Sequence, residues 1–252
     1  MKKIILGLLA AASFSFASQA QDLSFIIQGG YQGAKLTSFN AQELASGFRI
    51  GAALDWQFID LGLVELSLQP GVNFSQKGAN YILGTAQNGG SILTLVNDPS
   101  IQNAINAAMK MSYIDIPVLV NARFDVPLLG NLFVQAGPYV GFGIGSSTRF
   151  TTSNETANNF GNDILDLING NNKFDVFKDN VMDKLDYGLQ IGAGLEFSRI
   201  LISAGYQLGL KGLANKDQTL AEDANQISQL IQKSIGDGTK NSSFYVSLGY
   251  RF

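Results

Sequence analysis

The chain has 252 residues, no histidine, no cysteine, charged residues at 15% and a formal net charge of −3. Disulfides, thiolate metal sites and a lipidated N-terminal cysteine are excluded, and the commonest general base and metal ligand are missing. A mildly acidic chain without a basic stripe is a poor nucleic-acid binder, so no nucleic acid, cofactor or metal is expected.

Lys2 and Lys3 precede an apolar run from Ile4 to Phe16 and a small-x-small site at Ser18-Gln19-Ala20. This three-part pattern predicts a cleaved signal peptide over 1–20 and a mature domain over 21–252. The competing reading, a membrane-spanning helix, needs ~20 apolar residues, and the run is shorter.

From there period-two alternation dominates. It predicts eight strands, at 23–36, 46–58, 61–77, 111–124, 131–147, 186–197, 200–212 and 242–252. In the seventh, Ile200, Ile202, Ala204, Tyr206, Leu208 and Leu210 share one face, opposite Leu201, Ser203, Gly205, Gln207, Gly209 and Lys211. Tight turns are expected at Ile59-Asp60 and Ser198-Arg199, and a short loop at 125–130. Loops at 37–45, 78–110, 148–185 and 213–241 gather at the other end. Short turns at one end and long loops at the other are the layout of an outer-membrane barrel. The oily faces agree: ten residues at ~3.3 Å each, tilted by ~40°, span about 25 Å, the height of a lipid-facing band. Phe58, Phe124, Phe197 and Phe252 suggest an aromatic girdle. A soluble sandwich or lipocalin-like barrel would turn the oily face inward instead. The predicted fold is therefore all-β, an eight-stranded antiparallel transmembrane β-barrel with both termini at the periplasmic, short-turn end.

With this parity Arg49, Asp55, Glu65, Asp115, Arg123, Asp186, Glu196, Lys211 and Arg251 point inward. Buried charges must be paired, and eight strands leave room only for side chains. A lumen charge network plugging the barrel is expected over a pore. Asp115 and Glu65 are the positions at which an acid-based centre is conceivable, and no residue is assigned a catalytic role. Gly192-Ala193-Gly194 lies in a strand without a following Lys-Ser/Thr, so it is not a phosphate loop.

The long loops carry apolar residues at helical spacing. Asp98-Pro99 reads as a helix start before Ile101, Ile105, Ala108 and Met109. Leu220, Ala224, Ile227, Leu230, Ile231 and Ile235 form a stripe within 217–235. Ile164 to Ile168, and Val176, Phe177, Val181 and Leu185, suggest two further helical pieces. Such stripes need partners: they either cap the barrel mouth or dock another envelope protein.

Tyr113-Ile114-Asp115-Ile116-Pro117-Val118-Leu119, continued by Asn121-Ala122-Arg123-Phe124, resembles the aromatic-x-acid-Ile-Pro-aliphatic strand of PorT-type outer-membrane β-barrel proteins, which are widespread in Bacteroidota. Gly192-Ala193-Gly194-Leu195-Glu196-Phe197 is similar to that family's Gly-rich strand, and Tyr245 to Phe252 to its terminal strand. Phe244, Val246, Leu248, Tyr250 and Phe252 also resemble the C-terminal assembly signal read by the barrel-assembly machinery. The resemblance covers the strands and not the loops. It implies an outer-membrane barrel whose partners are outer-membrane lipid, the assembly machinery during biogenesis and, through the extracellular loops, an envelope protein. The function expected is structural or protein-interacting and non-enzymatic. A small pore, an accessory secretion-system barrel and an acid-based rim enzyme are the alternatives.

Overall fold

The computed structural model describes residues 23–37, 44–82, 105–127, 130–152, 175–178, 180–214 and 238–252. Eight antiparallel strands run β1 Leu23–Leu36, β2 Ala45–Asp60, β3 Val64–Ile82, β4 Ile105–Val126, β5 Gly130–Thr152, β6 Leu185–Phe197, β7 Ile200–Gly209 and β8 Asn241–Arg251. Each pairs with its neighbours in sequence, and β8 closes on β1 through pairs such as Gly30↔Ser247. Closure leaves no free edge strand in the barrel wall, and beyond Phe142 β5 pairs with β4 alone.

Alternation fixes which face is inside. Along β7 exposed and buried residues alternate, with Leu201, Ser203 and Gln207 inward. Outward residues are apolar and open: Ile191 is 59% exposed, Ile202 58% and Leu248 60%. That is the reverse of a soluble barrel, where such residues fill the interior. Aromatic rings edge the oily band. Phe25, Tyr250 and Phe252 stack at the short-turn end with centroids 6.0 and 4.9 Å apart, beside Trp56 and Phe58. Tyr31 with Phe244, and Phe48 with Phe74, mark the long-loop end.

The turns show why the connections are short. Gly62 has φ of 80° and donates its N–H to the Asp60 carboxylate at 2.7 Å. A left-handed residue here suits glycine. The first turn therefore lies at Leu61 to Leu63, one step beyond the expected Ile59-Asp60. The register between β2 and β3 shifts between Gln57 and Ile59, and this bulge turns Phe58 and Ile59 both outward. Ser198, at φ of 57°, makes the predicted turn with Arg199.

β3, β4 and β5 run furthest past the expected bounds at the long-loop end, with 19, 22 and 23 residues. Ile105, Ala108 and Met109, expected in a helix, belong to β4. They pair with Thr152, Arg149 and Thr148 of β5, and Met109 also with Ala79 of β3. A ladder on both sides satisfies the backbone there, so local helical spacing gives way to strand pairing. Val176, Phe177 and Val181 are not helical either. They form a turn in which the N–H groups of Val181 and Met182 both donate to the Val176 carbonyl at 3.0 Å, and Leu185 opens β6. The expected helical stripes at 164–168 and 217–235, Ile101, and the signal peptide at 1–20 lie outside the described residues.

Candidate functional site in the barrel interior

The interior is arranged in layers from the short-turn end to the long-loop end. The first layer is ionic. Arg123 on β4 reaches Asp55 on β2 and Glu65 on β3, each at 2.7 Å, and its Nε lies 3.3 Å from Glu196 on β6. Arg251 on β8 grips both oxygens of Glu196 at 2.8 and 3.0 Å and also touches Asp55. The fork-on-fork contact is the strong geometry for arginine and carboxylate. Two guanidinium groups here face two buried carboxylates, with half-exposed Glu65 at the edge.

Above it, Ile26, Phe133 and Leu201 form an apolar cluster with 4%, 4% and 7% exposure. A cavity of about 20 Å³ lies between these residues and Gln28, Asn121 and Arg251. That is room for about one water molecule.

The middle layer is an amide and phenol network. The Tyr245 hydroxyl accepts from the amides of Gln135 and Gln190 at 3.1 Å each. Gln207 donates to Gln190 at 3.0 Å, and Gln32 to Ser243 at 3.1 Å. Arg49 lies with its guanidinium carbon 4.3 Å above the Tyr245 ring and donates to Gln190 at 3.3 Å. Its Nε and Nη1 have no hydrogen-bond partner, and no carboxylate contacts it among the described residues.

The next layer centres on Lys77. Its ammonium lies 3.0 Å from Asp115 and 3.2 Å from Asp186, and all three side chains have 0% exposure. Ser75 donates to the second Asp115 oxygen at 2.7 Å. Asp186 also accepts from Tyr139 at 3.2 Å and Asn241 at 3.0 Å. The Tyr113 and Tyr139 rings stand 4.8 and 4.7 Å from the same ammonium. Arg49 and Lys77 together balance Asp115 and Asp186, so the upper half of the lumen is neutral although Arg49 stands one layer away.

An apolar cap closes the long-loop end. Val176, Phe177, Val181, Met182 and Leu213 are buried over inward Met109 and Met111. Phe177 packs edge-on against Tyr113 at 5.6 Å and covers Gly143, where a Cβ would strike its ring. Hydrogen bonds tie the turn to the barrel. Val176 donates to Ser146 at 2.8 Å, Gly143 to Lys184 at 2.7 Å, and Asp183 to Leu213 at 2.9 Å. Lys211 pairs with Asp183 here. Leu210 and Lys211 both direct their N–H groups at the Tyr187 carbonyl, so β7 ends at Gly209, and Lys211 belongs to the rim and not to the lumen network expected for it. Burial works against the charged Asp183, but the Lys211 ammonium and the amides of Leu185 and Lys184 outweigh it and hold this carboxyl below the ordinary aspartate value.

Of the inward charges read from the sequence, the structure brings Asp55, Glu65, Arg123, Glu196 and Arg251 into one cluster. Asp115 and Asp186 lie in the other, around a lysine that the reading missed. Lys77 has the parity of Ser75, two positions earlier on the same strand, so the signal was present. The three tyrosines of the interior were not singled out either. Of the two positions considered for acid catalysis, Asp115 is fully buried and held by Lys77 and Ser75, and half-exposed Glu65 is bound by Arg123. No group of three or more Asp or Glu that could hold a metal ion occurs among the described residues.

The profile of a family described as outer membrane protein beta-barrel domain matches residues 16–215. No curated protein matches the sequence. Among solved structures, Neisserial surface protein A is similar at 13% identity, covering 92% of this chain and 100% of that one with a TM-score of 0.44. The attachment invasion locus protein Ail of Yersinia pestis is similar at 14% identity, 92% and 98% coverage and a TM-score of 0.35. OprG of Pseudomonas aeruginosa is similar at 10% identity, 91% and 95% coverage and a TM-score of 0.36.

Proposed function

The chain belongs to the outer membrane protein β-barrel domain family, and from that premise we propose that it is a non-enzymatic structural or protein-interaction component of the bacterial cell envelope. Its location is the bacterial outer membrane. The observation that carries the reading is the filled lumen: Lys77, Asp115 and Asp186 are fully buried across it, between the Arg123–Arg251 cluster at one end and the Phe177 cap at the other. A barrel blocked this way acts through its outer surfaces. Both termini face the periplasm in this proposal, and the long loops present the surface for an envelope partner. The protein is exported by a signal peptide over 1–20 and assembled through the Phe244-to-Phe252 signal. The Ile116-Pro117 strand supports a PorT-type affiliation within the family.

Planar-bilayer recording on the purified, refolded chain tests the reading. It is expected to give no stepwise conductance. Reproducible ion-sized steps would overturn the plugged barrel and favour transport.

A further inference from the structure

The outward face changes character at the long-loop end, where lysines follow the outward apolar residues of four strands by three or four positions. Lys35 on β1 stands four residues beyond Tyr31, Lys240 four beyond Phe244 on β8, and Lys110 four beyond Ile114 on β4. Lys184 stands three residues beyond Tyr187 at the start of β6. Four residues of a tilted strand rise about 10 Å. The polar headgroup zone is roughly 5–8 Å deep on each side of the hydrocarbon. A lysine rooted just above that zone can bend its stem back along the barrel and put its ammonium among the headgroups.

Three of the four lysines are exposed, Lys240 is half-buried, and none pairs with a carboxylate among the described residues. Among the described residues, two carboxylates at this end are already engaged: Asp183 by Lys211, and Asp175 by the Ser146 hydroxyl at 2.8 Å. Lys35 and Lys240 share the β1–β8 seam, where Lys240 accepts from the Thr37 N–H at 3.0 Å and donates its own to the Thr37 hydroxyl at 3.1 Å. Below the opposite girdle the exposed charges are mixed, Asp60 and Asp125 with Arg199. Among the described residues, the exposed charges at the long-loop end that have no charged partner are lysines.

We propose that this lysine collar is a docking surface for phosphate-bearing lipid headgroups in the leaflet at the long-loop end. Anionic headgroups attract lysines held near the membrane surface, and four ammonium groups just beyond the apolar band would select phosphate-rich lipid from the surrounding leaflet. The proposal goes beyond the structural role above and does not depend on it: a conducting barrel would carry the same collar.

The test uses the full chain refolded into phosphatidylcholine vesicles, with trace spin-labelled phosphatidic acid or spin-labelled phosphatidylcholine. Electron paramagnetic resonance then reads the immobilised boundary fraction of each lipid. Phosphatidic acid is expected to be preferred roughly fivefold. The combined variant K35Q/K110Q/K184Q/K240Q is expected to lose the preference, the four corresponding Arg replacements to keep it, and Arg199→Gln at the other end to leave it unchanged. Heat-modifiability checks the fold of each. Should the fourfold variant not assemble, Lys35→Gln with Lys240→Gln makes the same comparison and is expected to lose about half of the preference. No preference in the unmodified chain, or an equal one in the Gln variants, overturns the proposal. So does loss of the preference when inorganic phosphate replaces chloride at matched ionic strength, which would assign the collar to free phosphate.

Discussion

Lys77 holds two buried aspartates and stands against two tyrosine rings. Removing its charge leaves Asp115 and Asp186 together in a fully buried site, with Arg49 one layer away. Breaking a buried pair by deleting one partner typically costs about 3–5 kcal/mol, because the remaining charge is uncompensated. Lys77→Met is therefore expected to lower stability by that amount in urea unfolding from detergent micelles. Adding Asp186→Asn to it should recover part of the loss, since the remaining Asp115 is then balanced by Arg49 one layer away. An unchanged midpoint for Lys77→Met would mean that the aspartates take up protons at little cost. Tyr245 offers a milder case. Its hydroxyl accepts two amide bonds, and Tyr245→Phe leaves both donors unpaired, a loss of about 1–3 kcal/mol in the same assay. Gly205 makes room for that ring: a Cβ there would collide with the Tyr245 hydroxyl and with the Ile191 carbonyl, so Gly205→Val is incompatible with Tyr245 in this position.

At the scale of elements, alternation made most of the barrel legible. β1 has the bounds read from its pattern, and β6 and β8 differ from theirs by a residue or so. What was not legible lies where an outside partner decides the local structure. Met109 and Ala108 sit at helical spacing, yet their backbones are claimed by β3 on one side and β5 on the other. Val176 and Phe177 look like part of an amphipathic helix because they are apolar, and they are apolar because they cover Met109, Met111 and Tyr113. Inward Ile26, Phe133 and Leu201 were hidden for a related reason: an oily residue on the polar face reads as noise until three of them meet across the lumen. The cap turn also yields a prediction. The Asp183 carboxyl is held below its ordinary value of ~3.9, so its tie to Lys211 is fully present above that pH and is lost as pH falls through the lower folded value. Amide protection factors of Met182 and Asp183 should decline below about pH 4, and Lys211→Met should flatten that decline. A decline of the same size in the Lys211→Met chain would assign it to other carboxyls.

For the whole molecule, the order of the layers matters more than any one of them. Ions crossing the barrel would meet the Arg123–Arg251 cluster, the Ile26 cluster, the Gln190–Tyr245 network, the Lys77 triad and the Phe177 cap in series. They exclude a continuous water path by occupied charge, apolar walls, packed amide and phenol groups or steric cover. Barriers in series do not yield to the loss of one. Each ionic layer has one carboxylate in excess, half-exposed Glu65 in the first and an aspartate of the Lys77 triad that Arg49 offsets from the next layer, so neither leaves a strong net charge to draw ions of one sign into the lumen. Opening the cap with Phe177→Ala and Val181→Ala is therefore expected to leave planar-bilayer recordings silent. Opening the apolar layer with Ile26→Ser and Leu201→Ser should do the same, and so should both pairs combined, because the Lys77 triad still spans the lumen. Steps that appear with the cap variant alone would show that the interior layers rearrange once uncovered, and the barrel would then be a gated conduit whose lid is the 175–184 turn.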